Sequence, residues 1–230
     1  MSRQVVLDTE TTGLSPSNGD RIIEIGCVEV INFVPTSKHY HTYINPMKTV
    51  SEKAFEIHGL SNDFLAKFPK FEEICQDFLD FVGSSDIIAH NAQFDINFIN
   101  NELKLINKSP LNNKVIDTLD IARQKFPGSK LNLDALCTRF LINNSSREKH
   151  GALIDAQLLS SVYLELNGGR QQEMFANCNS EQESILSAEE IASYTISEIK
   201  ITKNEEFEHM QMLEKIQNPL WMRKNKITNE

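Results

Sequence analysis

The chain has 230 residues, 40% of them hydrophobic and 24% charged, with a formal net charge of −9. This length suits one core domain with a small appendage, and the acidic balance argues against a nucleic-acid binder built on a broad basic face; contact with nucleic acid would need local basic groups, metal ions or a partner's surface. The cysteines Cys27, Cys75, Cys137 and Cys178 form no CxxC pair, which argues against a zinc site or a disulfide framework, and with no apolar leader and no apolar run of about 18 residues the expectation is a cytoplasmic protein without a membrane span.

Val5-Val6-Leu7 runs straight into Asp8-Thr9-Glu10-Thr11-Thr12-Gly13-Leu14. The apolar triplet predicts a short buried strand, and alternation along it points Asp8 and Glu10 to one face. Two carboxylates at the end of a buried strand repel each other and lose solvation. A hard divalent cation, Mg²⁺ or Mn²⁺, relieves that cost. From these two acids alone, a solvent-facing pair at a strand end is an equally good reading.

Ser15 to Asp20 is a turn-rich loop, Arg21 to Val34 a β-rich run, Pro35-Thr36-Ser37 a turn and Tyr40 to Ile44 a strand. Such short connections predict an antiparallel meander with the first strand. Short helices are expected over 51–58 and 61–68. A longer one over 71–82 carries the stripe Phe71, Ile74, Cys75, Phe78, Leu79 and Val82. Strand Asp86–Ala89 leads into His90-Asn91-Ala92-Gln93-Phe94-Asp95, where Asn91 suits the N-cap of a helix. Val115–Asp117 reads as the last strand, followed by helices over 118–125 and 131–140 and a polar loop over 143–149. A strong helix from Gly151 to Leu166 stops at Asn167-Gly168-Gly169.

The composition changes near residue 170. Gln171-Gln172-Glu173-Met174-Phe175 interrupts a polar linker, and Ser187-Ala188-Glu189-Glu190 fits a capping box. Asn204 is the expected cap of a further helix with Phe207, Met210, Leu213 and Ile216 in a stripe. Pro219 ends that helix before Leu220-Trp221-Met222.

Asp95 falls in the first turn of a helix, where an acid by itself favours the positive helix N-terminus. Asp155 lies beside the apolar stripe of its helix, and a buried carboxylate there wants a partner. With Asp8 and Glu10 these make four acids on core-facing elements, a set that two metals about 3.5–4 Å apart would neutralise for phosphodiester hydrolysis. His150, five residues before Asp155, has the type of side chain that suits a general base; in isolation it reads as a surface histidine beside a capping glycine. His58 could stack on a base or sugar, or be a turn histidine.

Three motifs in order, Val6 to Leu14, His90 to Asp95 and His150 to Ala156, resemble the DEDDh branch of the DnaQ-like 3′–5′ exonucleases. Within that branch the chain is most similar to proofreading subunits of bacterial replicases. A histidine five before the last aspartate marks the histidine branch. The resemblance implies an α/β, ribonuclease H-like fold with a mixed five-stranded sheet flanked by helices, plus a C-terminal linker and helical tail. It implies Asp8, Glu10, Asp95 and Asp155 as ligands of two divalent ions, Mg²⁺ or Mn²⁺, and His150 as general base. Thr11, Thr12, Gly13 and Leu14 would lie along the terminal nucleotide, with His58 and Asn91 near it. Residues 1–169 would form the nuclease domain, 170–186 a linker whose Gln171, Met174 and Phe175 resemble a sliding-clamp motif, and 187–230 a tail binding the polymerase III catalytic subunit through Phe207, Leu220 and Trp221. The implied partners are DNA 3′ ends, that catalytic subunit, the sliding clamp and a small accessory subunit. An exoribonuclease of the same superfamily and a non-catalytic scaffold are the alternatives; the clamp-like motif weighs against the first and the intact acids against the second.

Overall fold

Strand β1 (Arg3–Thr11) lies at the middle of a five-stranded sheet of order β3-β2-β1-β4-β5. It pairs antiparallel with β2 (Ile22–Ile31) and parallel with β4 (Asp86–Ala89). β2 pairs antiparallel with β3 (Val34–Tyr43), and β4 parallel with β5 (Val115–Asp117). The sheet is therefore mixed, as the resemblance implied. The computed structural model describes residues 2–145, 149–169 and 202–215. Residues 1–180 and 181–230 form two separate compact units.

β1 is longer than its apolar triplet predicts. Its ladder with β2 runs from Arg3 opposite Ile31 to Thr11 opposite Ile22, so Asp8 and Glu10 sit inside the strand, facing Gly26 and Glu24. The register shifts between Glu10 and Thr11. Cross-strand pairing, not hydrophobicity, carries the strand through the acids.

The first hairpin turns elsewhere than expected. Asn32 and Phe33 take left-handed conformations (φ 50° and 69°) and form the two-residue turn, whereas Pro35 lies within β3, paired with Val30. Two consecutive left-handed residues match the twist of the strands they join. Proline is tolerated because β3 is an edge strand.

Helices cover both faces. Val5 and Leu7 of β1 and Ile25 and Cys27 of β2 pack against α3 (Phe71–Val82) and α4 (Gln93–Leu105). Val6, Val28, Val30 and Ile88 face α6 (Leu133–Arg139) and α7 (Ala152–Leu166), with Ala122 of α5 (Thr118–Lys125). A smaller cluster joins Ile23 and Val50 to α1 (Glu52–His58) and α2 (Asn62–Leu65), each capped by a serine hydroxyl, Ser51 or Ser61. α2 is shorter than the expected 61–68. Cys27, Cys75 and Cys137 are buried.

Asn91 is not the N-cap of α4. It adopts φ 62°, α4 begins at Gln93, and Ala92 occupies the cap position. The amide protons of Asn91 and Ala92 go instead to the Asp117 carboxylate, at 3.0 Å each. In the second unit, α8 (Lys203–Lys215) starts one residue before the expected cap Asn204. Thr202 and Glu205 form the reciprocal cap: Glu205 N–H donates to Thr202 Oγ1 and Thr202 N–H to Glu205 Oε2. Phe207 and Met210 are exposed. Cys178, the clamp-like residues Gln171, Met174 and Phe175, the capping box at Ser187, and Ile216, Pro219, Leu220 and Trp221 lie outside the described residues. Among the described residues no helix is long and apolar enough to cross a membrane.

Candidate active site

Alternation along β1 sends Asp8 and Glu10 to the face covered by α7, with Val6. The two acids meet Asp155 because α7 starts unusually close to the sheet. Gly26, opposite Asp8, leaves the room: a Cβ there would lie 2.2–2.3 Å from backbone atoms of Ala152 and Leu153. Gly151 is the extended N-cap of α7, and Asp155, in its first turn, is 3% exposed. Just before the helix, the His150 amide donates to the Ile57 carbonyl at 3.3 Å, which ties the entry of α7 to α1.

His150 Nδ1 lies 3.2 Å from Asp155 Oδ2, and the imidazole remains open to solvent. Glu10, His150 and Asp155 each present a ligand atom within 4.8 Å of the other two. Asp95 is buried on α4 and accepts a 2.7 Å hydrogen bond from Thr9 Oγ1. Asp8, on the same face of β1 as Glu10, is partly buried. Its carboxyl is held well above the usual carboxylate range, first by burial and then by the charges of Asp95, Glu10, Asp155 and Glu24. Burial also pushes Asp95 up, to about 7, against the opposing hydrogen bond from Thr9. The structure thus brings together all five residues singled out in the sequence. The donor set is hard oxygen plus one imidazole, crowded and mutually repelling, which fits a divalent cation.

The segment after β1 is folded on itself. Thr11 Oγ1 donates to the Gly13 carbonyl, Thr12 Oγ1 accepts from the Arg21 amide, and both threonines are buried. Gly13 has no side chain because the Asp20 carboxylate occupies that space, 2.4 Å from where a Cβ would be. Leu14, 83% exposed, projects from the loop. His58, the last residue of α1, is buried. Its Nδ1 accepts from the Leu60 amide, so the ring proton sits on Nε2, which has no hydrogen-bond partner. Burial lowers its pKa. His58, His150, Glu24, His41 and Tyr43 line an open cavity of about 390 Å³. The Asn91 side chain is exposed at the start of α4.

Sequence reasoning missed four supporting residues. Thr9 orients Asp95. Asp117 holds the Asn91–Ala92 turn and also caps α5 through the Leu119 amide. Asp20 braces the Thr12–Ser15 loop. Gly26 admits α7. Only Gly26 had a visible signal, a lone glycine in a β-rich run, which marks close backbone approach.

The family model described as Exonuclease matches residues 5–163. The DNA polymerase III subunit epsilon of Rickettsia felis is 46% identical over 221 residues, covering 93% of this chain and 96% of that one. That of Escherichia coli K12 is 44% identical over 184 residues, 76% of each chain. The chain therefore belongs to the family of DNA polymerase III epsilon subunits, proofreading 3′–5′ exonucleases. Among solved structures, exonuclease X in complex with 5′ overhanging duplex DNA superposes with a TM-score of 0.58 at 26% identity, covering 72% of this chain and 90% of that one. The nuclease domain of 3′hExo, a DEDDh family member bound to rAMP, gives 0.63 at 18% identity, covering 73% and 93%, and agrees in fold.

Proposed function

We propose that the chain removes mispaired 3′-terminal nucleotides from DNA with two divalent ions, Mg²⁺ or Mn²⁺, held by Asp8, Glu10, Asp95 and Asp155. The observation that carries this reading is the convergence of Glu10, Asp155 and His150 within 4.8 Å, beside two carboxyls, Asp8 and Asp95, whose pKa values are raised first of all by burial. Bound ions would neutralise the four acids, activate water and stabilise the leaving oxygen. His150, with Nδ1 turned to Asp155, presents Nε2 to accept the proton from the attacking water, and its exposure lets that proton leave to solvent. Leu14 offers an apolar face to the terminal base, the backbone of 11–13 runs along the sugar, Asn91 supplies a polar contact at the rim, and His58 lies behind them in the lining of the neighbouring cavity.

Residues 1–169 form the nuclease domain in this reading and 170–186 the linker. Gln171, Met174 and Phe175 occupy a groove of the sliding clamp. Residues 187–230 bind the polymerase catalytic subunit through Phe207, Leu220 and Trp221. The exposure of Phe207 on α8 supports a docking role. A small accessory subunit completes the assembly, which acts in the cytoplasm. The test is digestion of a 3′-labelled single strand, DNA against RNA, with Mg²⁺ or with EDTA. DNA digestion that requires the metal is expected. Full turnover in excess EDTA would remove the metal reading, and a preference for RNA would return the chain to RNA processing.

A further inference from the structure

Glu102 is a carboxylate that the chemistry above does not use. It lies on α4, seven residues after Asp95 and so on the same helix face, and its side chain is 1% exposed. Arg21, the residue before β2, meets it with two parallel hydrogen bonds, Nε to Oε1 and Nη2 to Oε2, both 2.7 Å. The Ile22 amide adds a third, at 3.2 Å. The backbone of Arg21 holds Thr12 from both sides: its N–H donates to Thr12 Oγ1 at 3.0 Å, and its carbonyl accepts the Thr12 N–H at 2.9 Å. One residue therefore connects the helix of Asp95 to the segment that ends in Gly13 and Leu14.

A buried ion pair is a poor source of stability compared with apolar side chains of the same volume. A bidentate guanidinium–carboxylate pair, by contrast, fixes distance and plane together. We infer that Arg21 and Glu102 are positioning residues for the exonuclease reaction, locking the Thr12–Leu14 segment to the α4 helix so that the terminal nucleotide is held in register with Asp95. The inference rests on the reading that this segment lies along the nucleotide. Neither residue is expected to touch the reacting atoms.

The experiment is steady-state digestion of a 3′-labelled DNA single strand with Mg²⁺, using the full chain. Two pair variants are compared, Arg21→Gln and the double variant Arg21→Met/Glu102→Leu. The second removes both charges and keeps the space filled, which guards against unfolding from an unpaired Glu102. Leu14→Ala runs beside them, with thermal melts for all. Both pair variants should raise KM about tenfold while kcat changes by about twofold or less, since a misplaced binding segment weakens substrate placement and leaves the acids in position. A folded pair variant with wild-type KM, or a loss confined to kcat, overturns the inference, as does unfolding of both variants, which would make the pair a stability element. Unchanged KM in Leu14→Ala would defeat the nucleotide-binding reading of the segment and the inference with it. Raised KM in Leu14→Ala beside normal pair variants would defeat the positioning inference alone.

Discussion

Asp8 faces Gly26 across the β1–β2 ladder, and the space that a side chain at Gly26 would fill is taken by the backbone of Ala152 and Leu153 at the start of α7. The glycine thereby decides how near Asp155 and His150 come to the strand acids. Gly26→Ala would put a methyl into backbone that cannot rotate away, so α7 must lift. Overpacking of this kind costs about 1–3 kcal/mol. The accompanying displacement of Asp155 should lower kcat by about 100-fold. Thermal melts paired with single-strand digestion measure both, and wild-type activity in Gly26→Ala would show that the close approach is dispensable.

The metal-free protein should lose stability as pH rises. Asp95 has a folded pKa of about 7, and Asp8 is likewise raised. An ordinary aspartate in the unfolded chain titrates near 3.9. Between those values the native state binds more protons than the unfolded state, so unfolding free energy falls with pH across the interval. The melting temperature in EDTA should therefore drop from about pH 5 to about pH 8. Mg²⁺ or Mn²⁺ should restore it most at the upper end, above the pKa of Asp95. Asp8→Asn should abolish digestion while flattening the metal-free pH dependence.

His150→Gln tests the base. General acid–base groups contribute about 10²–10⁴-fold. The variant should lose rate in that range. The Mg²⁺ concentration for half-maximal rate should stay near wild type. A large increase in that concentration would make His150 a ligand instead, a role its distance to Glu10 and Asp155 also permits.

Thr9→Val keeps the shape of the side chain but removes the hydroxyl that donates to Asp95. Loss of a hydrogen bond that orients a metal ligand typically costs about 10–100-fold in affinity or activity. The expected outcome is a folded protein with a raised Mg²⁺ requirement, read by metal titration of the rate. An unchanged titration curve would leave Thr9 a packing residue.

Replacing Gln171, Met174 and Phe175 together by alanine should weaken binding to a sliding clamp without slowing digestion of a free strand. Surface plasmon resonance against immobilised clamp, run beside the nuclease assay, separates the two effects. Equal clamp affinity in the triple variant would return the segment to plain linker.

The four acids proposed to hold metal were legible because alternation on a strand and placement in the first turn of a helix are local properties. Asp8, Glu10, Asp95 and Asp155 needed only their own neighbours to be placed. Strand β5 and helix α3 were readable for the same reason, with their bounds as expected. Features that depend on a distant partner were not. Asn91 looked like a cap because its sequence suits one, but Asp117, 26 residues on, takes the amide protons of its turn. Pro35 looked like the turn of the hairpin, but two left-handed residues before it make that turn. The pairing of Arg21 with Glu102 spans 81 residues and leaves no periodic trace.

The two ends of the sheet share a property that bears on behaviour at high concentration. One edge is β3, which carries Pro35 and the exposed Lys38, and its ladder with β2 shifts register between Val28 and Val30. The other is β5, only three residues long. A proline without an amide proton, a lysine that must stay hydrated and a strand too short to template are each poor invitations to a passing extended chain. The sheet stays open at both margins yet resists growing by addition of further strands, so stocks of the nuclease unit should stay free of fibrillar aggregates.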